Sequence, residues 1–147
     1  MNIRNWLAVV CASVLMASAC SYTILGPPYH PAPVAANTSV IYLYRPNIRK
    51  GSAHAMSVFV DGLPVGFFFP GGYVPFHVRP GNHTVGIIVS GKTQTELVDA
   101  EPDGDYYFRY DVSFGGTKLT PVPREVGRSE VTGCNLLPGG YDARDRI

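Results

Sequence analysis

A chain of 147 residues can bury one real core but not two, so a single domain is expected. Its 46% hydrophobic and 16% charged residues, with 13 Pro and 16 Gly, argue against a disordered or long-helical protein and fit a turn-rich β protein. Arg4 is the one basic residue before Cys20 and no acidic residue precedes it, so a chain begun at Cys20 is charge-balanced. No net field then draws it to nucleic acid or anionic lipid.

The first element is an export signal. Met1 to Asn5 carries Arg4 and the amino terminus as positive charges, and Trp6 to Met16 is an almost wholly apolar run. That run suits a signal-peptide core and is shorter than the roughly 20 apolar residues of a spanning helix. Residues 1–19 are therefore expected to be removed. Ala17-Ser18-Ala19 satisfies an ordinary signal peptidase, and Ala19-Cys20 satisfies the end of a bacterial lipobox, although Ala17 stands where a lipobox more often has Leu. Both enzymes cut the same bond, so the fate of Cys20 is the question. Ser21 to Thr38 contains Pro27, Pro28, Pro31 and Pro33 and has no helical or strand period, so residues 20–38 read as a semi-rigid Pro-rich tether behind a lipidated Cys20. Ser21, rather than Asp, points by analogy with enteric bacteria to the outer membrane, facing the periplasm. The alternative is a soluble periplasmic or secreted protein with a disordered tail.

Cysteine pairing follows the same fork. With Cys20 acylated, Cys134 lacks an intramolecular partner and is expected to be a small buried residue. With Cys20 free, the two could close a long disulfide loop in an oxidising compartment.

From Ser39 onward, β-rich runs alternate with turn signals. Ser39 to Arg45 (SVIYLYR) reads as the first strand and stops at Pro46. Ala55 to Phe69 reads as a hairpin about Asp61-Gly62, with Pro64 marking an edge or a bulge in its second arm. Further strands are expected at Tyr73 to Val78, His83 to Val89 and Thr93 to Val98. Tyr106, Phe108, Tyr110, Val112 and Phe114 then alternate along one core-facing side, opposite a wet side holding Tyr107, Arg109, Asp111 and Ser113. Thr117 to Val122 is a further strand. Arg124 to Leu137 is open between a short helix and a strand, because Gly127 and Gly133 interrupt either. Residues 138–147 read as a disordered tail. The expected fold is all-β: residues 39–137 form an antiparallel β-sandwich of about seven short strands, immunoglobulin-like or transthyretin-like.

The order YLYRP, VFVDGLPVG, Gly-Gly, VRPGNHTV, DGDYYFRYD and EVGRSEVTGC resembles the small bacterial envelope lipoproteins grouped as a domain of unknown function, DUF2846-like, over about Ser39 to Leu137. The VDG, VG and PGNHTV pieces are also similar to PEGA-type and carboxypeptidase-regulatory-like modules. The resemblance implies a lipidated cysteine and a sandwich, and it carries no catalytic residues.

Chemistry is sparse in the pattern. His30, His54, His77 and His83 lack the spacing of metal ligands, although His77 and His83 could meet across the Arg79–Asn82 turn. Asp103 and Asp105 read as turn residues, without the rest of a Ca²⁺ loop. No G-x-S-x-G elbow or phosphate loop is present, so neither an enzyme nor a cofactor is expected. The remaining candidate is an aromatic binding surface from Phe67, Phe68, Phe69, Tyr73, Phe76 and Tyr107. These features lead to the expectation of a lipid-anchored, non-catalytic protein-binding or scaffolding module of the envelope, held to the membrane by Cys20. The alternative is a carbohydrate or peptidoglycan binder, which the absence of Trp beyond Trp6 disfavours. A hydrolase with a cryptic site is the remaining class.

Overall fold

The computed structural model describes residues 26–47, 56–113 and 116–137. The expected export signal at 1–19, Cys20 and the expected disordered tail at 138–147 lie outside the described residues. Among the described residues the chain forms nine strands and one helix. The strands are β1 (Ser39–Arg45), β2 (Met56–Val60), β3 (Leu63–Phe68), β4 (Gly72–Val78), β5 (Gly81–Val89), β6 (Lys92–Ala100), β7 (Asp105–Ser113), β8 (Gly116–Val122) and β9 (Asn135–Leu136). The helix α1 (Arg124–Val131) lies between β8 and β9.

The strands make two sheets, ordered β8-β7-β1-β4-β9 and β3-β2-β5-β6. This is an all-β sandwich, with two departures from the expected one. Nine strands form rather than about seven, and the closing two-residue β9 owes its existence to pairing with β4, not to any run of β-forming residues. The sheet is also not purely antiparallel: β1 pairs in parallel with β7, and β4 with β9.

Local chemistry explains the most sharply defined turn. Asp61 and Gly62 adopt φ of 50° and 76°, the left-handed pair that a two-residue hairpin needs to match strand twist, and Val60 faces Leu63 across it. Pro64 sits where expected, on an edge strand beside a register shift between Val58 and Phe59. The opposite flank is closed by a side chain. The Gln94 amide of β6 donates to Thr117 O (2.6 Å) and accepts from Leu119 N–H (3.3 Å), tying the edges of the two sheets together.

Between the sheets, Ile41, Leu43 and Phe108 pack with Val58, Phe68 and Ile87 as the main core. β1, however, is buried along its whole length, on both faces. Its other face contributes Val40, Tyr42 and Tyr44 to a second cluster with Tyr73, Tyr107, Val131 and Cys134. The face of β7 that alternation marks as wet is therefore covered where Tyr107 stands, because α1 and the segment from Gly26 lie across it. Arg124 to Leu137 resolves into α1 followed by β9.

That N-terminal segment corrects the expected tether. Gly26 N–H donates to Leu136 O (3.0 Å), Leu136 N–H to Pro27 O (2.9 Å) and Tyr29 N–H to Cys134 O (3.0 Å), and a single antiparallel bridge joins Pro28 to Asn135. The Pro residues that remove helix and strand periodicity leave an extended chain whose free N–H and C=O groups can still pair with a sheet edge. From Gly26 to Pro33 the segment is part of the domain.

Candidate functional site

The second cluster ends in a cleft. Tyr42 and Tyr107, on neighbouring parallel strands, stack with ring centroids 4.9 Å apart and planes 9° apart. Tyr29 meets Tyr42 and Tyr73 edge-on at 5.8 and 5.2 Å, the offset geometry that ring quadrupoles favour. The docked segment is held by the same rings: Ala32 N–H donates to Tyr42 Oη (2.9 Å), His30 N–H to Tyr73 Oη (3.3 Å), and His77 Nε2–H to Pro33 O (2.8 Å).

Asp105 anchors the polar end. Its side chain is 10% exposed and accepts from Tyr107 Oη–H (2.9 Å) and Arg128 Nε–H (3.0 Å), and it pairs with Arg124. Arg124 and Arg128 are four residues apart, so both project from one side of α1 toward this single carboxylate, while about half of each side chain stays in water. The resulting cleft, about 470 Å³, lies between the docked segment and α1, with Pro31, Val34 and Thr132 among its walls. A second hollow of about 390 Å³ opens on the far side of the Asp105–Arg124 pair, toward Leu97 and Tyr106.

Burial pushes Tyr29 up to about 12 and raises Tyr42 and Tyr107 as well, so their hydroxyls are neutral donors at neutral pH, not phenolates. Arg128 is held charged by hydrogen bonds to Tyr107 and Asp105. Two partly neutralised guanidinium forks beside phenol and proline walls can grip a carboxylate or carbonyl of a partner segment. Behind them lies a structural network: Glu130 accepts from Tyr44 Oη–H and from Arg109 Nη1 (2.8 Å), and Arg109 Nε reaches Asp111 (2.9 Å).

Cys134 is buried and forms no disulfide among the described residues, and burial pushes its thiol up to about 11, away from the thiolate that a nucleophile needs. His77 and His83 do not pair in any hydrogen bond; His83 Nδ1 contacts Asp61 (2.6 Å) and its Nε2 the Arg79 carbonyl (2.7 Å). Among the described residues no three His, Cys, Asp or Glu side chains come together as a metal ion requires.

The aromatic surface anticipated from the sequence is not one surface. Phe67 is 61% exposed, but Phe68, Tyr73 and Tyr107 are buried, and Phe69 and Phe76 pack partly against the main core. Phe67 and Phe68 do alternate, as neighbours on a strand must. Tyr73 and Tyr107 are covered because α1 and the docked segment add a third layer to that sheet. Asp105, assigned to turn chemistry by its neighbours, is the buried anchor of the ion pairs; Asp103, with φ of 59°, is the turn residue. The residues that build the cleft, Tyr29, Tyr42, Arg124 and Arg128, were absent from the sequence candidates. One signal was available: Arg124 and Arg128 at helical spacing after a proline.

Two measurements follow directly. Asp105→Ala should cost about 1–3 kcal/mol in chemical denaturation, because the buried Tyr107 hydroxyl loses its acceptor, with Arg124 and Arg128 released into solvent. Alkaline titration should also unfold the protein. An unfolded phenol ionises near pH ~10, and folding raises Tyr29, Tyr42, Tyr44, Tyr107 and Tyr110 above that. Their contribution to stability is intact below about pH 10 and is lost as pH climbs toward about 12, so tyrosinate absorbance and loss of structure should rise together.

Residues 35–122 match the model of the family described as Protein of unknown function (DUF2846), which covers more than half of the chain. No curated protein and no solved structure matches this chain.

Proposed function

This chain belongs to the family of proteins of unknown function DUF2846, and we propose that it is a lipid-anchored protein of the bacterial envelope, a non-catalytic module that binds or scaffolds another protein from the outer membrane, facing the periplasm. The cleft between the docked segment and α1 carries this reading. It presents half-exposed Arg124 and Arg128 over neutral tyrosines, a set suited to holding a polar segment of a partner. The carbohydrate alternative draws on aromatic platforms, but Tyr42 and Tyr107 are stacked on each other and buried.

The anchor reading rests on the Ala19-Cys20 junction behind an apolar export run. Docking from Gly26 gives the anchor a consequence: an acyl chain on Cys20 would hold the cleft wall itself close to the bilayer.

The test uses the acylated protein as bait for envelope proteins, beside an Arg124→Ala/Arg128→Ala variant. A protein retained by the parent and lost at least tenfold by the variant supports the reading. Stable retention on sacculi stripped of protein, unchanged in the variant, would replace it with peptidoglycan binding.

A further inference from the structure

One flank of the sandwich is closed by Gln94; on the other, β3 is the edge strand among the described residues. β3 contains no charged residue and exposes Leu63 (46%), Pro64 and Phe67 (61%). Such an edge invites either a pairing strand or an apolar surface. A pairing strand is disfavoured, because Pro64 offers no N–H, Gly66 takes φ of 152°, and the register shifts opposite, between Val58 and Phe59.

The position of Gly26 bears on what covers this edge. β3 packs over β4, and β9, the edge of the other sheet, is the neighbour of β4. Gly26 is bonded to Leu136 of β9, so the N-terminal segment enters on the same flank as Phe67. Six residue steps separate Gly26 from Cys20, a span of at most about 20 Å, and packed sheets are about 10 Å apart. The geometry points to β3, through Leu63, Pro64 and Phe67, as a membrane-contact edge that rests on the lipid surface anchoring Cys20. This inference rests on the lipid-anchor reading. Because β3 carries no charge, the contact is apolar and insensitive to salt and to anionic lipid, and tethering makes even a weak contact populated.

The sequence supplies a clean probe, since its single Trp is Trp6, in the export run. Phe67→Trp and, as the opposite-edge control, Leu97→Trp would be prepared as acylated full-length mature protein in phosphatidylethanolamine–phosphatidylcholine vesicles. Leu97 is 79% exposed on β6. Expected is blue-shifted emission from Trp at position 67, quenched by lipids with brominated acyl chains and unchanged by salt, with Trp at position 97 keeping its emission in water. Water-like, unquenched emission at position 67 from protein that co-sediments with vesicles overturns the edge contact and leaves the anchor standing. If the mature protein purified from the envelope proves to carry no acyl group and stays in the supernatant, both are overturned. A blue shift that appears without vesicles and grows with protein concentration overturns it in favour of self-association.

Discussion

A chain begun at Val34 is expected to be about 3–5 kcal/mol less stable than one begun at Cys20, as read from urea midpoints. Removing Gly26 to Pro33 strips the hydrogen bonds to Leu136 and Cys134, leaves Tyr42, Tyr73 and His77 without their backbone partners, and uncovers the outer tyrosine cluster. A Pro-rich tether that merely spaced a domain from a membrane would have no such effect, and truncation would leave the midpoint unchanged. Tyr29→Ala alone should give a large share of the loss, since that ring contacts both Tyr42 and Tyr73.

Gly127→Ala is expected to destabilise by about 2 kcal/mol, against the sign of helix propensity. In an exposed helix Ala outdoes Gly by about 1 kcal/mol. Here α1 crosses Tyr107 at Gly127, and a Cβ would overlap that side chain's Cβ and Cγ, so α1 must lift away from the sheet. Lifting it also withdraws Arg124 and Arg128 from Asp105, so the partner binding proposed for the cleft should be lost together with stability. Gly133→Ala is the matched control. Its Cβ would meet Glu130 O at an ordinary 3.6 Å, and the change should stay within about 0.5 kcal/mol.

Gly127 also shows where sequence reading ends. A glycine inside an eight-residue helical run reads as an interruption, because propensity is a local property; the reason for it is a ring contributed from β7, twenty residues earlier. The main sandwich was legible for the opposite reason. Asp61-Gly62 sets its own backbone, Pro64 marks its own edge, and the β-branched and aromatic content of Ser39–Arg45 stands out in isolation. The third layer was hidden. Tyr29, Tyr42, Tyr73 and Tyr107 are scattered along the chain, and alternation alone assigns Tyr107 to water because it cannot see that α1 and the N-terminal segment return to cover that face. The cleft inherits the same difficulty: Asp105 resembles a turn residue until Arg124 and Arg128 are folded onto it.

The proposed function depends on acylation of Cys20, which the intact mass of the mature protein from native membranes tests most directly. The expected mass is that of the chain from Cys20 increased by a diacylglyceryl group and an acyl chain. The mass of the unmodified chain from Cys20 would contradict it.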